Sequence, residues 1–166
     1  MMTEMQFTPE DNPRAFRDAL GRFATGVTVV TCATPDGPMG FTANSFAAVS
    51  LDPALVLWSP AKASSRFAHF AQAQQYAIHV LDAAHTGWLP RFGRGGEGFH
   101  GLSHEVTAEG VPVIHGALAR FDCAQHATHD GGDHLIVVGR VLRAAYRDGA
   151  PLVFSQGAYG RFTDGV

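Results

Sequence analysis

Val27-Thr28-Val29-Val30-Thr31-Cys32 opens the part of the chain that decides the fold. β-branched side chains dominate this run, and such residues suit a pleated, packed surface. Pro35-Asp36-Gly37 follows with turn chemistry. A second strand is then expected from about Met39 to Val49, broken by Asp52-Pro53. Leu55-Val56-Leu57-Trp58 reads as a third strand and Tyr76-Ala77-Ile78-His79-Val80-Leu81 as a fourth. Two long strands, near Gly116–His126 and His134–Tyr146, flank Asp130-Gly131-Gly132-Asp133, which reads as a hairpin turn. A last segment runs from Pro151 to Phe162.

Helices are few and short. Asn12 suits an N-cap and Pro13 the first helical position. Phe16, Leu20 and Phe23 then fall at spacings of four and three, on one helix face, with Gly26 as the stop. Ser64 or Ser65 can cap a second helix carrying Phe67 and Phe70, and residues 83–92 form a short helix or turn. Residues 1–10 read as a disordered N-terminal arm, and residues 11–166 as one domain. Many strands at short spacing indicate a closed or partly closed antiparallel barrel. The apolar runs lack strict alternation, so several strands are expected to be covered on both sides, by the helices or by a second subunit. A homodimer is therefore expected.

Composition narrows the function. Of 166 residues 46% are hydrophobic and 16% charged, which supports a packed core rather than a disordered chain. The net charge of −3 and the absence of a Lys/Arg run argue against nucleic acid and acidic membranes as partners. Cys32 and Cys123 lie far apart, which argues against a disulfide framework or a Cys-rich zinc site. The polar, acidic stretch from Met1 to Asp11 does not read as a signal peptide, and no stretch of 18 apolar residues occurs. A cytoplasmic location is expected.

Several stretches can carry chemistry, each with a plainer reading beside it. In Gly40-Phe41-Thr42-Ala43-Asn44-Ser45-Phe46, small and hydroxylated residues interrupt an apolar strand. They let a flat heterocycle approach the backbone, or they are only a polar strand end. In Trp58-Ser59-Pro60-Ala61-Lys62-Ala63-Ser64-Ser65-Arg66, the chain's one lysine, three serines and an arginine precede a helix. That combination makes an anion site suited to a phosphate monoester, or simply a capped helix with a solvated lysine. Arg91-Phe92 stands at the entry to a glycine-rich loop and covers a ligand, or else Phe92 is core and Arg91 surface. Gly93-Arg94-Gly95-Gly96-Glu97-Gly98 matches GxGxxG but lacks the strand before and the helix after that a dinucleotide fingerprint needs. His126, His129 and His134 lie near Asp130 and Asp133, which allows a metal reading. The alternatives are an Asp133–His134 pair that fixes the imidazole tautomer and raises its pKa, or a solvated turn.

Together these segments resemble the flavin reductase-like family of FMN-binding split barrels, and more narrowly the small reductase component of two-component flavin monooxygenases. The resemblance rests on the stretch from Phe16 to Thr31, on Gly40–Phe46, on Val49–Leu57, on Gly116-Ala117-Leu118-Ala119 and Cys123, on Gly132-Asp133-His134 with Gly139-Arg140-Val141, and on Pro151-Leu152-Val153-Phe154 ending at Tyr159. It covers about residues 13–162 in the family's order. It implies a mainly β fold, a six-stranded antiparallel split barrel with Greek-key character and a few short flanking helices, dimeric, with flavin near the subunit interface.

The resemblance also implies residue roles. Thr42, Ala43, Asn44 and Ser45 would meet the ring and ribityl edge of FMN or FAD. Ser59, Lys62, Ser65 and Arg66 would meet the phosphate, Arg91 and Phe92 would lie beside the flavin, and no metal is implied. His134 and Tyr159 would approach the nicotinamide of NADH or NADPH, with Asp133 beside His134 to orient it. The implied activity is hydride transfer from NAD(P)H to flavin, with reduced flavin passing to a separate monooxygenase. Two other readings stay open. One is a non-catalytic flavin or haem module with His126 and His129 as ligands. The other is an enzyme that uses tightly bound FMN on an organic substrate.

Overall fold

The computed structural model describes residues 3–165. The first two residues of the expected arm and Val166 lie outside the described residues. Helix α1 (Pro13–Leu20) starts as the sequence indicates: Pro13 is its first residue, and the Asn12 side chain accepts from Ala15 N–H at 3.0 Å. It ends earlier than expected, at Gly21 rather than Gly26. The Gly21 carbonyl there accepts from Gln156 N–H at 2.8 Å, which docks the helix end on the C-terminal hairpin. Gly26 belongs instead to the short strand β1 (Thr25–Gly26).

The remaining elements are β2 (Thr28–Thr34), β3 (Gly37–Ala43), β4 (Ala47–Leu51), β5 (Ala54–Trp58), α2 (Phe67–Gln72), β6 (Gln75–Val80), α3 (Trp88–Phe92), β7 (Glu105–Val106), β8 (Pro112–Val113), β9 (Ala119–Gly131), β10 (His134–Tyr146), β11 (Leu152–Ser155) and β12 (Ala158–Arg161). The expected long hairpin is present as β9 and β10, joined by Gly132 and Asp133, with Gly132 at a φ of 75°. No helix among the described residues is long and apolar enough to cross a membrane.

All strand pairings are antiparallel. The main sheet has seven strands in the order β3-β2-β6-β9-β10-β5-β4, beside a three-stranded sheet β1-β11-β12 and the small β7-β8 pair. The seven-strand count differs from the expected six, because the stretch from Met39 to Val49 is two strands rather than one. β3 and β4 occupy opposite edges of the sheet, yet only residues 44–46 join them. From Ala43 to Ala47 the chain reaches at most about 14 Å. A flat seven-stranded sheet would hold its edges about 29 Å apart. The sheet therefore curls until its edges approach each other. No ladder joins β3 to β4, so it stays open.

Curling gives each strand an inner and an outer face. Val30, Cys32, Trp58, Phe70, Tyr76 and Ile78 fill the interior. The Trp58 ring meets Phe41 and Phe70 edge-on, with centroids 5.7 and 5.4 Å apart, an arrangement worth roughly 0.5–1.5 kcal/mol per pair beyond burial. On the outer face, Val27, Val29 and Leu81 pack against Phe92, Phe99, Ile114 and Leu152. This outer layer explains the missing alternation: β2 is buried from Thr28 to Cys32 because both faces are covered within one chain. α1 behaves differently. Its apolar face is real, but Phe16, Leu20 and the following Phe23 are 42%, 59% and 81% exposed, so that face is left largely uncovered by the described residues.

Two buried polar side chains pin the outer layer. Thr31 Oγ1 donates to the Pro112 carbonyl at 2.6 Å. His79 is fully buried, and its Nε2 accepts from Ile114 N–H at 3.1 Å. The proton therefore sits on Nδ1, which donates to the Val29 carbonyl at 3.0 Å. Burial holds the His79 pKa down at about 4, and nearby Arg120 pushes the same way, against the Val29 bond and Asp122. The unfolded chain thus binds a proton that the fold refuses. The stabilisation is complete above pH 6.5 and is lost as pH falls from 6.5 towards 4, by about 3 kcal/mol in all. Urea titrations at several pH values should show this decline in the unmodified protein and a flatter profile in His79→Gln. Equal slopes in the two proteins would exclude His79 as the source.

Candidate functional site

Three cavities follow one another along β3, which as an edge strand leaves one side of its backbone outside the ladder. Pro38, Met39 and Gly40 line the first, of about 490 Å³, together with Arg91 and the loop from Gly93 to His100. Phe41 lines the second, of about 500 Å³, with Ser64, Ser65, Arg66 and Arg94. Thr42, Ala43 and Asn44 line the third, of about 210 Å³, with Val27, Phe154 and Tyr159. Ser65, Arg66 and Gly95 belong to both the first and the second.

The third cavity gathers four of the residues singled out from sequence: Thr42, Ala43, Asn44 and Tyr159. The Tyr159 ring leans on Phe154 at a centroid distance of 5.0 Å. Thr42 Oγ1 is buried and has no hydrogen-bond partner among the described residues. A buried hydroxyl left without a partner costs about 1–3 kcal/mol. Its place in a cleft of small side chains marks it for an external one. Ser45 is occupied otherwise. Its Oγ accepts from Ser59 N–H at 2.8 Å, so both serines fasten the β3–β4 link to the end of β5.

The expected anion site divides. Ser65 and Arg66 reach the second cavity, but Ser59 and Lys62 do not line it. Lys62 pairs with Asp130 at the tip of the long hairpin, and its N–H donates to the Asp133 carbonyl at 2.9 Å. Arg94 takes the cationic place in the cavity instead. Sequence reasoning passed over Arg94 because it lies inside the GxGxxG decoy. Ser64 accepts from Arg66 N–H at 3.2 Å, just ahead of α2, whose N-cap position is Arg66 rather than a serine.

Arg66 and Arg91 are also structural. Arg66 Nη1 donates to the carbonyls of Gly40 and Phe92 at 2.9 and 2.7 Å, and its guanidinium sits 4.6 Å from the Phe41 ring centre. Arg91 Nη1 donates to the carbonyls of Gly98 and His100 at 3.0 and 2.5 Å, and its Nη2 lies 3.6 Å from Glu97. Phe92 corrects the expectation of a ligand contact. Its ring is fully buried under β3, and a Cβ at Gly40 would fall 2.3 Å from it. It shapes the strand that lines the cavities and shows no surface to a ligand.

The Asp133–His134 pair forms, with Nδ1 2.7 Å from the carboxylate, and this bond holds the Asp133 pKa below the usual carboxylate range. The pair stands at the hairpin tip and lines none of the three cavities. His126 and His129 are exposed on β9, and His126 sits at a bulge where the pairing with β10 skips it. Among the described residues, no three His, Cys, Asp or Glu side chains converge on a point that could hold a metal ion.

The arrangement suits an elongated ligand with a flat polar ring and an anionic group. A model of the family described as "Flavin reductase like domain" matches residues 20–163. The chain is 60% identical over 164 residues to the "FMN reductase (NADH) SmoA" of Agrobacterium fabrum, covering 98% of this chain and 94% of that one. It is 39% identical over 150 residues to the "Flavin-dependent monooxygenase, reductase subunit HsaB" of Rhodococcus jostii, covering 89% and 77%. Among solved structures, the NADH:FAD oxidoreductase SgcE6 of Streptomyces globisporus superposes with a TM-score of 0.91 at 33% identity, covering 100% of this chain and 96% of that one. The Arg91 bonds carry a test of the loop. Arg91→Ala should speed tryptic cleavage after Arg94 by about tenfold or more, the equivalent of ~1.4 kcal/mol. An unchanged cleavage rate would show that the staple does not hold the loop.

Proposed function

The chain belongs to the flavin reductase-like family and is an NAD(P)H:flavin oxidoreductase; from that premise we propose that NADH and FMN are its working pair and that reduced flavin passes to a separate flavin-dependent monooxygenase. The observation that carries this assignment to residues is the partnerless Thr42 hydroxyl in a cleft of small strand residues, close along β3 to a cavity with Ser64, Ser65, Arg66 and Arg94. That donor set fits a flavin with a phosphate tail.

The flavin supplies an electron-deficient ring that accepts hydride. The rest falls to this chain. Thr42, Ala43 and Asn44 bind the ring edge through the side chains and backbone of β3, and donors there stabilise negative charge that grows on the ring. Ser64, Ser65, Arg66 and Arg94 hold the phosphate. The Ser45–Ser59 bond keeps the β3–β4 link in place. Tyr159 closes one side of the cleft, and His134, oriented by Asp133, positions the nicotinamide. No side chain is required as a covalent nucleophile.

The finer architecture follows the same reading. The curled sheet is a split barrel of six strands with Greek-key character, β4 lying outside that count, and residues from Asp11 onward form one domain behind an N-terminal arm. The reading also places the protein in the cytoplasm, where both soluble cosubstrates are made. A second copy of the chain covers the outward face of α1 at Phe16, Leu20 and Phe23. Sedimentation should then give a dimer at micromolar concentration. A stable folded monomer would remove this part of the reading.

Turnover is the main test. Purified protein should oxidise NADH only when FMN or FAD is added, and no oxidation with either flavin would refute the assignment. Within an active protein, Arg94→Ala should weaken FMN by about 1.5–3 kcal/mol and leave riboflavin nearly unchanged, while Lys62→Ala has the smaller effect on FMN. Equal losses of both ligands in Arg94→Ala would mean that Arg94 does not see the phosphate.

A further inference from the structure

Among the described residues, Gln156 is the one non-glycine with a positive φ, at 52°. It sits in the two-residue turn between β11 and β12, where Ser155 pairs with Ala158 and Gly157 follows at a φ of 80°. Two successive positive φ values make a type I′ turn, whose first position suits Asn, Asp or Gly. Asn eases the strain by bonding its short side chain locally, and Gly has no Cβ to clash. Gln has neither advantage. Strain of this kind persists only where the surroundings hold the residue in place.

The surroundings here are the end of α1. Gln156 N–H donates to the Gly21 carbonyl at 2.8 Å, and Gln156 Oε1 accepts from Arg22 Nη1. Among the described residues, every hydrogen bond that leaves the stretch 3–24 ends on Gln156. No residue of α1 is buried, so packing does not replace those bonds.

The same hairpin forms a wall of the ring cleft. Phe154 and Tyr159 are ladder partners, with ring centroids 5.0 Å apart, and both line the cleft together with Thr42, Ala43 and Asn44. Phe154 also lines a space of about 490 Å³ that it shares with Arg17, Arg22 and Gln156. Its ring is thus a partition between the cleft and the α1 contact. β12 is an exposed edge strand whose only ladder partner is β11. Tyr159 therefore has that ladder and the turn to set its position. Hydride transfer is sensitive to such placement, since a shift of about 1 Å caused from far away can cost ~10²-fold in rate.

We propose that Gln156 is a positioning residue for hydride transfer: it clamps the β11–β12 turn to the end of α1 at Gly21 and Arg22, and so fixes the Phe154–Tyr159 wall of the ring cleft. This rests on the flavin reductase reading, under which that cleft holds the ring. An Asn or Gly at position 156 would give a more relaxed turn, but neither reaches Arg22. The strain is kept for the sake of the clamp.

Gln156→Asn separates the turn from the clamp, because it suits the turn better and loses the reach to Arg22. It should fold with an unchanged or higher Tm. In stopped flow with FMN and saturating NADH, its rate constant for flavin bleaching should nonetheless fall about fivefold or more. A merely structural role would reduce the bleaching amplitude, through the folded fraction, and leave the rate constant where it was. Gln156→Glu keeps the reach and offers Arg22 a carboxylate, so its rate constant should stay within about twofold of the unmodified protein's. Arg22→Ala breaks the clamp from an exposed position and serves should Gln156→Asn fail to fold. It should reproduce the slower rate constant, and the double variant should add nothing further. A folded Gln156→Asn or Arg22→Ala whose rate constant stays within about twofold overturns the proposal. So does a loss of amplitude alone, or a Gln156→Glu as slow as Gln156→Asn. Failure of the underlying reading would look different, since the unmodified protein would then oxidise no NADH with FMN.

Discussion

Three residues, Asn44, Ser45 and Phe46, must carry the chain from one edge of a seven-stranded sheet to the other. Nothing short of a strong curl satisfies that tether. Once the sheet curls, it has an inside that aromatic rings can fill and an outside that needs its own cover. It also brings β3, as an uncapped edge, beside the serine-rich stretch that follows β5. The bond between Ser45 and Ser59 N–H sits on the tether itself, so the joint that closes the architecture also sets the corner of the ring cleft. Fold and site share one constraint.

The outer cover is the less familiar half of this design. The segment between β6 and β9 contains little regular structure, yet it buries Phe92, Phe99 and Ile114 against β2 and β6. Apolar contact alone would let such a segment slide, whereas His79 and Thr31 fix its register through two directional bonds. The cost is a buried imidazole that must stay neutral. Gly40 plays the complementary part: lacking a Cβ, it lets the Phe92 ring lie against β3, and the cavities open along that same strand.

Much of this was legible in the sequence. The capped first helix, the buried β2 run, the long hairpin and its turn all followed from local chemistry, and Thr42–Asn44 stood out as small polar residues in an apolar strand. The failures have physical causes. The break after Ala43 carries no Gly or Pro, so Met39–Val49 read as one strand although it spans two edges. Phe92 looked available because burial on the outer face depends on Gly40, fifty-two positions away. Lys62 attracted attention as the only lysine, but its partner Asp130 comes from a distant hairpin, while Arg94 was hidden inside a motif rejected for other reasons. α1 announced an apolar face without saying what it meets.

Arg66 and Arg91 hold the loops around the cavities mostly through main-chain oxygens, those of Gly40, Phe92, Gly98 and His100. A carbonyl is the same group whatever residue bears it. The two arginines therefore recognise the path of the chain and are indifferent to most of its lettering. Gly40 and Gly96 have no room to change, and Gly95 and Gly98 hold a positive φ, but the remaining rim positions can be rewritten by mutation without loosening these anchors. A library of rim sequences built on this scaffold would diversify what the cavities accept while the curled sheet beneath stays as it is.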